Sequence, residues 1–208
     1  VAEKIFRIQQ ADIKFTPFKK DGDQMHVGET AFEVEALVHT ILLCERIVLN
    51  CMQRMSGIAT LTSMYTNKLI GYHTRVLDTR KTTPNFRLLE KEAVKIGGGL
   101  NHRFGLYDMI MLKDNHIDYC GGIEKAIAKA YEYVLQKKPG IKIEVETRSL
   151  DDVKKVMAVG KVNRIMLDNF TPEKIIEALK IIDGKYETEA SGGINLNNIE
   201  AYAATGVD

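Results

Sequence analysis

Charge of one sign is missing from this sequence: 29 Lys+Arg stand against 28 Asp+Glu, a formal net charge of +1. That balance excludes a polycationic nucleic-acid arm and an acidic tail. Cysteine is scarce, with 3 in 208 residues, and Cys44, Cys51 and Cys120 form no C-x-x-C pair. Neither a disulfide framework nor a zinc knuckle is expected, and a reducing cytoplasm is the natural setting. Proline is scarce as well, at 4 residues, while 45% hydrophobic and 27% charged residues make an ordinary globular composition, not a disordered or collagen-like one. Apolar runs are broken by charge well short of the ~20 residues a membrane span needs, and no basic-then-apolar leader pattern opens the chain. A chain this long can bury roughly 70% of its unfolded surface without a staple.

What is present is regular. Residues 1–8 read as the tail of an amphipathic helix; residues 12–16 and 32–36 alternate polar and apolar as short half-buried strands around a turn at Asp21-Gly22-Asp23. Apolar residues then recur at helical spacing over 38–55, with Cys44 and Cys51 on one face, and a second helix is expected after a break at Ser56-Gly57. Beyond Gly71 short apolar runs alternate with capped helices, the pattern of consecutive β-α units and a parallel sheet. Strands are expected over 72–77, 108–112, 141–146, 163–167 and 186–190. Thr83 with Pro84, Ser149, Thr171 with Pro172, and Asn195 supply helix starts, and Gly97, Gly140, Gly160, Gly184 and Gly206 supply stops. A first residue other than Met, and Gly206-Val207-Asp208 reading as the opening of a further strand, lead us to expect trimmed ends.

Ligands of parallel sheets gather at the carboxyl ends of the strands. There the chain places Asp78-Thr79-Arg80-Lys81, then Lys113-Asp114-Asn115-His116, then Glu144 and Glu146, then Asp168-Asn169, then Ser191-Gly192-Gly193. Arg80, Lys81, His102, Arg103 and Lys113 form a positive half, which suits a polyanion. Glu144, Glu146 and Asp168 form an acidic half, which suits Mg²⁺ carried by a di- or triphosphate, or sugar hydroxyls. Strand alternation is expected to let only one of Glu144 and Glu146 point inward. Ser191-Gly192-Gly193 offers a phosphate its backbone amides, ahead of a helix opened by Asn195. Gly97-Gly98-Gly99 lacks the Lys and Ser/Thr of a P-loop, and Asp114, His116 and Asp118 alternate as a metal cluster would, although in a turn they point apart.

At these residues the sequence resembles the quinolinate phosphoribosyltransferase (nicotinate-nucleotide pyrophosphorylase) family. The blocks that carry the likeness are Glu45-Arg46-Ile47-Val48-Leu49-Asn50 with Ser56-Gly57-Ile58-Ala59-Thr60, then Thr79-Arg80-Lys81-Thr82-Thr83-Pro84, Gly97-Gly98-Gly99 with His102-Arg103, and Lys113-Asp114-Asn115-His116. They continue through Ile143-Glu144-Val145-Glu146, Leu167-Asp168-Asn169-Phe170 and Glu189-Ala190-Ser191-Gly192-Gly193-Ile194. The resemblance implies a partial N-terminal α+β open-sandwich domain with its linking helix over residues 1–56, and an incomplete parallel α/β barrel over residues 57–208. It implies transfer of phosphoribose from phosphoribosyl pyrophosphate to quinolinate with decarboxylation, and the alternative is transfer to a related pyridine or azole acid without it. A metal-dependent lyase using Asp114, His116 and the Glu pair, and a silent anion-binding scaffold, are further rivals.

By that likeness Arg80, His102, Arg103 and Lys113 hold the quinolinate carboxylates, and Arg46 is donated across a homodimer interface. Lys81, Lys113 and the amides of Ser191, Gly192 and Gly193 grip phosphoribosyl pyrophosphate, while Glu146 and Asp168 serve the ribose hydroxyls and Mg²⁺, directly or through the substrate. The expected catalytic set is therefore Lys81, Lys113, Glu146 and Asp168. Asn85 replaces a glycine usual in the family and reads as a neutral change at a helix start.

Overall fold

The computed structural model describes residues 1–208, which form two compact units: Val1–Thr66 with Val76–Asn101, and Asn67–Arg75 with His102–Asp208. The expected division at residues 56 and 57 falls inside a helix.

In the first unit, helix α1 (Ala2–Gln9) precedes an antiparallel pair, β1 (Lys14–Pro17) and β2 (Phe32–Glu35). Phe15 stacks on Phe32 across the pair, with ring centroids 4.7 Å apart. Helix α2 runs unbroken over Val38–Lys68, so the expected break at Gly57 does not occur. Glycine weakens a helix interior without forbidding it, and Gly57 stands in open space. Cys44 and Cys51 are buried on one face of α2, as their spacing implied.

Residues 72–77 do not form the expected strand; the segment contributes only an isolated bridge, Leu77 to Leu100. Helix α3 (Arg87–Ile96) starts at Arg87, not at Thr83-Pro84. Thr83 instead bonds Glu90 through both its hydroxyl and its main-chain N–H. Asn85 is not a neutral helix-start residue either: its φ of 61° is the left-handed conformation that favours glycine and that Asn tolerates better than other residues.

The second unit is built on four parallel strands in sequential order: β3 (Met109–Leu112), β4 (Lys142–Thr147), β5 (Arg164–Asp168) and β6 (Glu187–Ser191). Sequential order is that of a barrel; a doubly wound sheet would reverse direction part-way. Between and after the strands run α4 (Asp114–Cys120), α5 (Ile123–Lys137), α6 (Leu150–Val159), α7 (Pro172–Ile182) and α8 (Ile199–Ala203). Ser149 and Thr171 cap α6 and α7 as expected, accepting from the N–H groups of Asp152 and Lys174. Asn195 does not open α8, whose N-cap is Asn198. Gly206-Val207-Asp208 is not a strand; Asp208 accepts from the Thr188 hydroxyl and N–H.

The register decides which residues share a face. Met111 pairs with Glu144, Glu144 with Arg164, and Arg164 with Glu187; one row on, Glu146 pairs with Met166 and Met166 with Glu189. The other face carries Leu112, Ile143, Val145, Ile165 and Leu167, buried against Ile127, Val153, Val156, Ile175 and Ile182 of the helices. Each such fully buried aliphatic side chain stabilises by about 1.5–3 kcal/mol relative to exposure. One sheet face is thus oily and helix-covered, and the other is lined by charge.

Candidate active site

Glu144 and Glu146 are two residues apart and so point the same way. The expectation that only one could face inward is wrong: both stand on the charged face, Glu144 fully buried and Glu146 nearer the strand end. Four side chains assemble at the carboxyl ends of successive strands. Lys113 follows β3, and its Nζ lies 3.8 Å from Glu146 Oε2 on β4. Asp168 ends β5 and accepts from the Ser191 hydroxyl, at the end of β6, at 2.5 Å and from Asn169 Nδ2 at 2.7 Å. Burial and then the neighbouring Asp168 charge raise the Glu146 carboxyl above its ordinary value, against the pull of Lys113.

Gly192 and Gly193 follow with φ of 93° and 68°. A Cβ on Gly192 would collide with the side chain and main-chain N of Asn169, which itself adopts φ 58° and donates its N–H to Ser191 O. The backbone there can approach a ligand as no substituted residue would allow. The helix expected to open at Asn195 is not behind it, because α8 is 5 residues long and begins at Ile199.

Arg103 donates from its guanidinium to Met109 O at 3.2 Å, and its N–H donates to His102 Nδ1 at 2.7 Å. His102 Nε2 lies 2.6 Å from Glu144 Oε2 and 3.4 Å from Glu189 Oε2, and Arg164 reaches Glu189 at 3.1 Å. Arg164 and Glu189 were missed in the sequence, although a charge opening the apolar run 165–167 and a Glu two residues before Ser191 were the signals for them. Asp114, His116 and Asp118 lie on α4, where His116 Nδ1 accepts the Lys113 N–H; that is a helix-start role and not a metal cluster.

The first unit carries the other expected residues. Arg46 is exposed on α2 and Lys81 is exposed, while Arg80 is half-buried. Arg87 holds the 80–82 segment by donating to Arg80 O and the Thr82 hydroxyl. Beneath it, Asp78 pairs with the buried Lys91 and accepts from Asn101 Nδ2. Glu90, pushed up by burial, is nevertheless held below the usual carboxylate range by Arg54 and Thr83.

A small α+β unit and a parallel β/α sheet with basic and acidic side chains at its strand ends define a two-unit α/β class of fold. The profile described as "Quinolinate phosphoribosyl transferase, N-terminal domain" matches residues 1–56, and "Quinolinate phosphoribosyl transferase, C-terminal domain" matches residues 58–208. The chain is 41% identical to the chloroplastic nicotinate-nucleotide pyrophosphorylase [carboxylating] of Arabidopsis thaliana, over 100% of this chain and 63% of that protein. It is 42% identical to the probable nicotinate-nucleotide pyrophosphorylase [carboxylating] of Bacillus subtilis (strain 168), over 98% of this chain and 69% of that one. The crystal structure of NadC from Streptococcus pyogenes superposes with a TM-score of 0.91 at 42% identity, covering 100% of this chain and 72% of that one. The chain belongs to the quinolinate phosphoribosyl transferase family, and it spans slightly under two thirds of the length of the plant relatives.

Proposed function

We propose that this chain carries decarboxylating quinolinate phosphoribosyltransferase activity, forming nicotinate mononucleotide, pyrophosphate and CO₂ in NAD biosynthesis. The observation that carries it is the row formed by Lys113, Glu146, Asp168 and Ser191 at the ends of consecutive strands, in a member of this family. The anomeric carbon of phosphoribosyl pyrophosphate develops positive charge as its bond to pyrophosphate breaks, and the fixed carboxylates of Glu146 and Asp168 stabilise that charge. Lys113 and the Ser191, Gly192 and Gly193 amides hold the phosphates. The pyridine nitrogen of quinolinate then bonds to the anomeric carbon. The quaternised ring takes up the electron pair left when the adjacent carboxylate departs as CO₂, and a proton replaces it. Positioning and electrostatics carry the reaction without a covalent enzyme intermediate.

Arg103, with Arg80, holds the two carboxylates of quinolinate, and Lys81 serves phosphoribosyl pyrophosphate. Glu146 and Asp168, two oxygen donors near enough to raise the Glu146 carboxyl, fit a hard divalent cation. These two carboxylates would hold Mg²⁺, which would supply charge neutralisation for the pyrophosphate leaving group. A homodimer with Arg46 given to the partner, in the cytoplasm, completes the proposal; the three cysteines are free, and no helix is long and apolar enough to cross a membrane.

The test is release of labelled CO₂ together with pyrophosphate from quinolinate and phosphoribosyl pyrophosphate with Mg²⁺ present. Pyrophosphate without CO₂ would point to transfer without decarboxylation, and release of neither would refute the activity.

A further inference from the structure

We infer that helix α3 clamps the segment that presents Arg80 and Lys81, with Arg87 and Glu90 as positioning residues that hold both cations in place for their substrates. This rests on the proposed activity, in which Arg80 serves quinolinate and Lys81 serves phosphoribosyl pyrophosphate.

Residues 79–82 carry two site cations on a stretch with no helix, no strand and no main-chain to main-chain hydrogen bond. Such a stretch is ordered only by the side chains that reach it, because nothing else offsets its backbone entropy. One face of α3 supplies them. Arg87 sends Nε to the Thr82 hydroxyl at 3.2 Å and NH2 to Arg80 O at 3.3 Å, a two-pronged grip that suits a planar guanidinium. Glu90, three residues on, accepts from the Thr83 hydroxyl at 2.8 Å and from the Thr83 N–H at 3.2 Å. Lys91, four residues on, pairs with Asp78. Positions i, i+3 and i+4 share a helix face, so the segment is tied to one rigid surface before, within and after residues 79–82.

The clamp is itself braced. Glu90 is buried, and Arg54 on α2 reaches its Oε1 through Nε at 2.9 Å and NH2 at 2.7 Å, with NH2 also 3.3 Å from the Thr83 hydroxyl. Asn101 donates to Asp78 and to Lys91 O, closing the other end. Helix capping does not explain this arrangement. Phe86, the N-cap of α3, makes no side-chain cap bond, and the Glu90 carboxylate is taken up by Thr83 and Arg54, not by a free amide of its own helix. The buried Arg80 Nε has no hydrogen-bond partner; the Arg80 main chain, held through its carbonyl by Arg87, is what aims the side chain.

Two measurements on the full chain test this. Nitrogen-15 relaxation, which needs no substrate, should give residues 80–83 order parameters of about 0.85 in the wild type and below about 0.6 in Arg87→Met, with residues 90–96 of α3 unchanged. A segment that stays rigid, or an α3 that loosens along with it, overturns the clamp. Calorimetry on Arg87→Met should show quinolinate and phosphoribosyl pyrophosphate binding weakened together, each about tenfold. A loss confined to one ligand would make Arg87 a direct contact of that ligand, and no loss for either would remove the positioning role; both results overturn the proposal. Thr83→Val keeps the side-chain shape but takes the hydroxyl from Glu90, so it should loosen residues 82 and 83 in the same spectra and weaken each ligand about threefold. It carries the test if Arg87→Met does not fold, and no loosening there would remove Glu90 from the clamp. Wild-type protein whose segment is rigid and is released by Arg87→Met, yet which binds neither ligand, would refute the functional proposal while leaving the clamp in place.

Discussion

Gly192 shows how much one missing side chain can matter. Its φ of 93° and the Asn169 atoms beside it leave no room for a Cβ, so Gly192→Ala should destabilise by about 1–3 kcal/mol. It should also weaken phosphoribosyl pyrophosphate binding more than quinolinate binding, as calorimetry with each ligand would show; an equal loss for both would argue against a phosphate role. Arg103→Ala should give the converse, quinolinate affinity lost and phosphoribosyl pyrophosphate affinity largely kept. Residue identities of this kind were legible, because neither a glycine pair nor a row of charges at strand ends is something that core packing requires. What each residue touches was not. Glu144 and His102 look alike in the sequence as site groups, yet the fold turns them toward each other.

At the scale of elements, β3 to β6 lie within one residue of their expected bounds, because buried strands between capped helices carry their own period. The errors fall where local signals compete with packing. Gly57 looks like a break, but a long helix with a buried face absorbs one glycine; Gly57→Ala should raise stability by about 0.5–1 kcal/mol in denaturant unfolding. Thr83-Pro84 looks like a helix start, but Glu90 takes the Thr83 donors.

The strands also carry a pH dependence. Burial and the Glu144 charge raise the Glu189 carboxyl from 4.5 to about 7. The folded chain then holds a proton that the unfolded chain has released, so this contribution to stability is complete below about 4.5 and is lost as pH rises through about 7. Glu189→Gln should flatten the decline of Tm between about pH 5 and 8, and equal slopes in both proteins would contradict the assignment.

For the whole molecule, α2 leaves Leu42, Leu43, Ile47 and Leu49 exposed around Arg46, an apolar stretch that the proposed homodimer would cover. Leu43→Asp with Ile47→Asp should convert a dimer to monomers in sedimentation and abolish activity. Mixing Arg46→Ala with Lys113→Ala subunits should restore about a quarter of wild-type activity, since half the reassorted dimers carry one intact site. No recovery would place Arg46 in its own subunit's site.

The sequence by itself determined the order of elements, the family and the residue types at the strand ends, because hydrophobic period and motif spacing are local properties. Only the tertiary structure decided that Glu144 and Glu146 share a face, that Arg164 and Glu189 join them, and that His102 lies against Glu144 and Glu189. Those facts depend on register between strands far apart in the chain, and a register is chosen by burying one whole sheet face against helices.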